Sequence, residues 1–159
     1  MKTTNRSRAD SRLTRTLQEY IKTIHILEKE KGSAAVTDIA DSLGVKAPSV
    51  TSALKRLQDL GMAKYQPYRS VTLTKKGQKI GEHLERVHNI LKDFFMFIGI
   101  EEEIASVDAC EIEHIAHTET IDRVTKFVEF IQTAPKKPKW LKHFEEFAAT
   151  GDRPEDCSC

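Results

Sequence analysis

The strongest constraint on the fold lies between Thr37 and Thr74, where apolar spacing changes from a helical period to alternation. Ile39, Ala40 and Leu43 recur at helical spacing and stop at Gly44; Val50, Ala53, Leu54 and Leu57 then resume it as far as Leu60-Gly61. That pattern predicts a short helix from Thr37, a tight turn and a second helix. Gly44 suits the turn because a residue without a Cβ enters the left-handed region freely, and Ala40 is small enough to let two helices approach. The second helix opens at Lys46-Ala-Pro-Ser49, with Pro48 in the first turn, where a missing N–H costs little. Past Gly61, Met62–Gln66 and Val71–Thr74 read as two strands around the turn Pro67-Tyr-Arg-Ser70.

A helix from Thr16 to Lys31 precedes these elements, with Leu17, Tyr20, Ile21, Ile24, Ile26 and Leu27 at helical positions and Gly32 at its end. Helix, helix, turn, helix and ribbon in that order is a winged helix-turn-helix, whose last helix enters the DNA major groove by its N-terminal residues. Its outward positions Pro48, Ser49, Ser52, Lys55 and Arg56 are small or basic, as a groove-inserted face requires. Lys64, Arg69, Lys75 and Lys76, on or beside the ribbon, are placed to meet phosphates, giving salt-sensitive affinity rather than sequence choice. The net charge of +1 conceals this asymmetry. Residues 55–79 carry Lys55, Arg56, Lys64, Arg69, Lys75, Lys76 and Lys79 against Asp59, whereas Phe94 to Asp122 contains no Lys or Arg and collects Glu and Asp. A basic first half implies a polyanionic partner, and the acidic later segment a cationic one.

The rest of the chain reads as helical. A long helix runs from Lys75 to Ile98 with Ile80, Leu84, Val87, Leu91, Phe95 and Ile98 on one stripe, and Gly99 breaks it. A fifth helix is expected from Glu101 to about His117, a sixth from Thr120 to Ile131, and a short one around Trp140–Phe147. In the fifth, Cys110, Glu113 and His114 stand at i, i+3 and i+4, so a thiol, a carboxylate and an imidazole share one face. Each is a donor for divalent first-row metals, while Ile104, Val107 and Ile112 are expected to face the core. His88 interrupts the long stripe between Leu84 and Leu91 and becomes a metal-ligand candidate beside that trio. No stretch is apolar enough to span a membrane and no secretory signal opens the chain. Three cysteines make no disulfide framework, so a reducing cytoplasmic setting is expected.

Several stretches together resemble the diphtheria toxin repressor family of metal-dependent transcriptional repressors, in the two-domain branch typified by the manganese transport regulator. They are Glu19-Tyr-Ile-Lys-Thr-Ile24, Val36-Thr-Asp-Ile-Ala40, Pro48-Ser-Val-Thr51, Val71-Thr-Leu-Thr-Lys-Lys-Gly77, His88 and Glu113-His114. The resemblance covers roughly residues 16–133. It implies a mainly α fold with a winged helix over 16–76 and a helical metal-binding dimerisation domain over 77–134; the polar, aperiodic residues before and after these read as a flexible basic arm over 1–15 and a tail over 135–159. It also implies a homodimer that binds a double-stranded DNA operator when Fe²⁺ or Mn²⁺ fixes the two domains in a DNA-binding geometry. By the same resemblance Glu19, His88, Cys110, Glu113 and His114 are metal ligands.

Three residues depart from the family pattern. Lys22 stands where the manganese branch has a carboxylate, Lys92 where the iron branch has a glutamate, and Ser106 where it has a histidine. A protonated ammonium neither ligates nor tolerates a nearby cation, so one strong metal per subunit is expected, with the second site altered or absent. Cys110 favours Fe²⁺ over Mn²⁺, because thiolate suits the softer ion; Zn²⁺ or Co²⁺ also suits the set in vitro. Other readings share these residues: a metal-independent winged-helix regulator, a thiol-based redox regulator using Cys110 with Cys157 and Cys159, or a di-iron enzyme. The last draws on two E-x-x-H spacings, Glu85 to His88 and Glu111 to His114, but lacks the four long helices such a bundle needs. Cys157-Ser-Cys159 is also a candidate secondary metal or redox pair.

Overall fold

The computed structural model describes residues 13–67, 69–136 and 138–153. Most of the expected basic arm, together with Cys157 and Cys159, lies outside them. The described elements are α1 (Arg15–Lys31), α2 (Val36–Leu43), α3 (Ala47–Asp59), β1 (Ala63–Lys64), β2 (Thr72–Leu73), α4 (Lys75–Phe97), α5 (Glu102–Ile112), α6 (Thr118–Gln132) and α7 (Lys139–Thr150). The chain divides into two compact units, Met1–Glu85 and Arg86–Cys159, with the division inside α4.

In the first unit the Thr14 hydroxyl caps α1 by accepting from the Leu17 N–H at 3.4 Å. The apolar face of α1 (Leu17, Tyr20, Ile21, Ile24 and Leu27) is buried in one core with Ile39 and Ala40 of α2 and Val50, Leu54 and Leu57 of α3. Gly44 ends α2 at φ 62° and ψ 32°, and its N–H bonds to the Ala40 and Asp41 carbonyls. A side chain at this φ would be strained, so the glycine sets the angle between α2 and α3.

The ribbon is shorter than alternation predicts. Among the described residues, Ala63↔Leu73 and Lys64↔Thr72 alone pair in register, against the five- and four-residue strands expected. The reason is a competing partner: Val71 makes an isolated bridge to Ala34, donating its N–H to the Ala34 carbonyl at 2.7 Å. Pro67, which has no N–H to offer, opens the turn beyond β1. The inner face of the ribbon, Ala63, Tyr65, Val71 and Leu73, is buried, while Lys64 and Thr72 face out. Glu28 on α1 accepts the Leu73 N–H at 3.0 Å, tying β2 to the first helix.

Thr74 joins the ribbon to α4. Its hydroxyl donates to the Gly61 carbonyl at 2.8 Å and accepts the Gly77 N–H at 3.2 Å, and its own N–H bonds to the Met62 carbonyl at 3.0 Å. α4 lies so close to the ribbon that a Cβ on Gly77 would run into the Met62 carbonyl oxygen. One turn later Gly81 faces α1, where an added Cβ would stand 2.7 Å from the Cβ of His25. The close approach is held by Glu85, which takes His25 Nε2 at 3.1 Å and Lys29 Nζ at 2.7 Å.

In the second unit, Val87 and Leu91 of α4 form a core with Ala109 of α5 and Ile121 of α6. α5 turns a small-residue face inward: Ala105 and Ala109 are fully buried. Ile104 and Val107, expected in the core, are instead 54% and 64% exposed. Ala109 packs with Val87 and Leu91 of α4, and the larger side chains are left outside. α5 also stops earlier than expected, at Ile112 rather than His117. The following turn tightens, with Ile115 N–H bonded to Ile112 O at 3.0 Å, and brings Ala116 back onto the same core as Ile112. Phe127 of α6 sits between Phe94 and the Trp140 ring of α7, at centroid distances of 5.9 and 6.1 Å.

Candidate functional site

The short reach of α5 places Glu113 as its C-cap and His114 in the turn beyond, so the two are not on the helix proper as their spacing suggests. The convergence survives because Glu113 keeps helical backbone angles (φ −55°, ψ −27°) and its N–H still bonds to the Ala109 carbonyl. Residues 105, 109 and 113 then follow one another on the inward stripe, which carries a carboxylate into the unit behind two alanines. The Glu113 side chain is 0% exposed and that of His114 2%. Cys110, half-buried, joins them, and one donor atom from each of the three lies within 4.8 Å of the others.

The two oxygens of Glu113 face different partners. Oε2 is 3.0 Å from Nδ1 of His88, on α4; Oε1 is 3.4 Å from Nε2 of His114. The other His88 nitrogen, Nε2, stands 3.5 Å from the Ser106 hydroxyl. A carboxylate buried this completely is costly unless hydrogen bonds or a cation compensate it. Thiol, carboxylate and imidazole together form a donor set of intermediate softness, suited to Fe²⁺, Mn²⁺, Co²⁺ or Zn²⁺. Two ligands of one such ion, at bond lengths of about 2.1 Å, stand roughly 3.0–3.4 Å apart. The Glu113–His114 spacing is within that range, so the residues fit a divalent metal.

Glu19 is half-buried on α1 of the first unit, and Lys22, one turn later on the same helix, is buried. Lys92 is committed to Glu102 at 2.6 Å. The ion pair holds the Glu102 carboxyl below the usual range, first through the hydrogen bond from Lys92 and then through its charge. Sequence reasoning misses this pair and the Ser106 contact, since both span the break at Gly99, where helical spacing predicts no neighbours. Glu85 and Glu111, the acids of the two E-x-x-H spacings, do not come together as a pair of ligands within one unit: Glu85 serves Lys29 and His25 in the first unit, and Glu111 is exposed in the second.

The nucleic-acid candidates are all at the surface. On α3, Pro48, Ser49, Ser52, Lys55 and Arg56 are exposed while Val50, Leu54 and Leu57 on its other face are buried. No acidic residue occupies the first turn of α3, so its N-terminal dipole remains positive toward an approaching polyanion. Lys64 on β1, Arg69 in the turn, and Lys75 and Lys76 at the start of α4 are likewise exposed.

Comparison with known proteins agrees with both halves of this arrangement. A family profile described as iron dependent repressor, N-terminal DNA binding domain, matches residues 12–71. A second, described as iron dependent repressor, metal binding and dimerisation domain, matches residues 74–142. The HTH-type transcriptional regulator MntR of Geobacillus thermodenitrificans (strain NG80-2) is 35% identical over 139 residues, covering 87% of this chain and 99% of that relative. The solved structure of T. acidophilum IdeR shares 31% identity at a TM-score of 0.63, covering 70% of this chain and 53% of that one. The manganese regulator SloR shares 25% identity at a TM-score of 0.64, covering 72% and 54%. This chain therefore matches about half the length of each of the two solved chains, and nearly the full length of the MntR relative.

Proposed function

The chain belongs to the iron-dependent repressor family of metal-dependent, DNA-binding transcriptional regulators, and from that premise we propose that Glu19, Cys110, Glu113 and His114 hold one divalent cation per subunit and so control its grip on operator DNA. The observation that carries the reading is the buried carboxylate of Glu113, presented with a thiol and an imidazole within 4.8 Å of one another. The preferred ion is Fe²⁺, with Mn²⁺ second. The SloR structure is described as that of a manganese regulator and the matching profiles as those of iron dependent repressors. Cys110 decides the order, because thiolate selects the softer ion. With Lys92 occupied by Glu102 and Lys22 buried beside Glu19, a second cation would meet ammonium groups, and one metal per subunit is the consistent count.

A bound cation supplies the positive charge that offsets Glu113 and holds the donors in one arrangement. The chain's own residues do the rest. Glu19 lies on α1, whose opposite face shares a core with Val50, Leu54 and Leu57 of α3. Protein interiors are close-packed, so restraint of α1 is restraint of the reading helix. Pro48, Ser49, Ser52, Lys55 and Arg56 then meet the major groove, and Lys64, Arg69, Lys75 and Lys76 meet phosphates. Moving such a protein from 1:99 to 99:1 in favour of its DNA-competent state takes about 5.5 kcal/mol of differential metal affinity. Several coordinated donors supply that much.

The working form is a homodimer, since half-sites one helical turn apart require two reading heads. Ile104, Val107 and Ile115, the last 72% exposed, offer the second unit an apolar surface to bury in pairing. None of the described helices is long and apolar enough to cross a membrane, and the proposed place of action is the cytoplasm, where its DNA lies. No catalytic step enters this reading. The test is His114→Ala in the full chain, assayed against duplexes selected from a random pool by the Fe²⁺-loaded protein. Loss of metal-stimulated binding with an unchanged circular dichroism spectrum is expected; stimulation equal to that of the parent chain would remove His114 and the site with it.

A further inference from the structure

Gly77, Gly81, Glu85 and His88 recur at i, i+4, i+8 and i+11, which is one stripe of α4. The first three turn to the first unit. A Cβ on Gly77 would meet the Met62 carbonyl, and one on Gly81 would meet His25. Glu85 takes Lys29 Nζ with both of its oxygens, at 2.7 and 2.8 Å, and His25 Nε2 at 3.1 Å. His25 and Lys29 stand one turn apart on α1. The imidazole of His25 is buried, so its ring nitrogen needs a partner away from water, and Glu85 is that partner. Glu85 is also the last residue of the first unit; α4 runs on unbroken into the second, where His88 reaches Glu113 at 3.0 Å.

α1 and α4 are thus fastened at two successive turns. A single close contact, at Gly81, leaves α4 free to rotate about it; a carboxylate that takes two side chains of α1 one turn on does not. The Lys29 side chain is 55% exposed, and ion pairs at such places add little to stability. Its contribution is direction. We propose that Glu85 is a positioning residue for DNA recognition: by holding His25 and Lys29 it makes α1 and the first half of α4 one rigid piece. A restraint on α4 is then a restraint on the reading helix α3, which shares a core with α1. This rests on the metal-controlled reading above and deepens it, since Glu85 is in neither the donor set nor the reading helix.

The experiment measures the full chain under anaerobic conditions: its affinity for Fe²⁺ without DNA, by competition with a chelator, and its affinity for a duplex selected by the Fe²⁺-loaded protein. The second is taken in saturating Fe²⁺ and in excess chelator, and the ratio of the two duplex affinities is the quantity read. In Glu85→Ala that ratio should fall about 2- to 30-fold, as for residues that carry coupling between sites, while Fe²⁺ affinity and duplex affinity in chelator stay within about 2-fold of the parent. Glu85→Gln, which can still accept from Lys29, should keep part of the ratio. Lys29→Met loses the charge and keeps most of the stem; its ratio should fall as well, and it serves as the second variant should the alanine protein fail to fold. The ratio is blind to a lost phosphate contact, which lowers both duplex affinities alike. A parental ratio in these variants, or an equal loss of duplex affinity with and without Fe²⁺, would make the cluster merely structural and overturn the proposal while leaving the metal site standing. A parent chain whose duplex affinity ignores Fe²⁺ would remove the metal reading, and the role of Glu85 with it.

Discussion

Glu113→Gln separates the two things a buried carboxylate can be, a ligand or a structural ion. Its oxygens face His88 at 3.0 Å and His114 at 3.4 Å, in a side chain with no solvent exposure. The amide keeps the shape and can still accept from His88. A hydrogen bond to a charged group, at about 1.5–3 kcal/mol, is exchanged for a neutral one at about 0.5–1.5. Against that loss, the desolvation of a buried carboxylate, several kcal/mol, is removed. Without metal the variant should therefore unfold within about 1 kcal/mol of the parent, or later. With metal the order reverses. A ligand at 100 times its Kd stabilises by about 2.7 kcal/mol. At roughly 2–4 °C per kcal/mol for a chain of this size, that raises the parent's Tm by about 5–11 °C. Glu113→Gln should show almost none of this gain. The assay is anaerobic thermal unfolding with and without Fe²⁺ or Co²⁺. A metal-free loss of more than about 3 kcal/mol, or a full metal-induced shift in the variant, would refute the reasoning.

Gly77→Ala drives a Cβ into the Met62 backbone carbonyl, which no rotamer change relieves, so it should cost about 1–3 kcal/mol or more, measured by urea unfolding of the full chain. Lys64→Ala and Lys75→Ala should each weaken binding to all duplexes alike and reduce the salt slope by about 1 for each phosphate left without its cation, read from affinities at several salt concentrations. The Lys29 hydrogen bond, with His25 also contributing, holds the Glu85 carboxyl below its ordinary value. A lowered carboxylate pKa contributes stability above the unfolded value, near 4.3, that is lost as pH falls through the folded value. Lys29→Met should flatten this acid limb in a pH series of melting curves and leave stability near pH 7 within about 1 kcal/mol of the parent.

What is legible in the sequence is what local period and turn chemistry determine. Gly44 and Pro48 bracket the turn and the reading helix, and Leu17 to Leu27 mark the face of α1, because one surface of each element has to be apolar. Alternation overstates the ribbon: Val71 has two possible partners, and only the tertiary fold decides that Ala34 takes it from β1. The inward face of α5 is misjudged for a related reason. Hydrophobicity favours Ile104 and Val107, but the buried face carries the smaller Ala105 and Ala109, the latter packed with Val87 and Leu91. That same choice of face buries Glu113, so the error in the core and the route to the candidate site have one origin. The Lys92–Glu102 and His88–Ser106 contacts depend on how the chain turns after Gly99, which no local pattern specifies.

The measurement that bears most directly on the central claim is operator affinity under anaerobic conditions, titrated with Fe²⁺ and with Mn²⁺, before and after a chelator. Tight binding that appears with the ion, saturates at one equivalent per subunit and disappears on chelation is the predicted result. Equal affinity for the same duplex with metal, without metal and in excess chelator would contradict it.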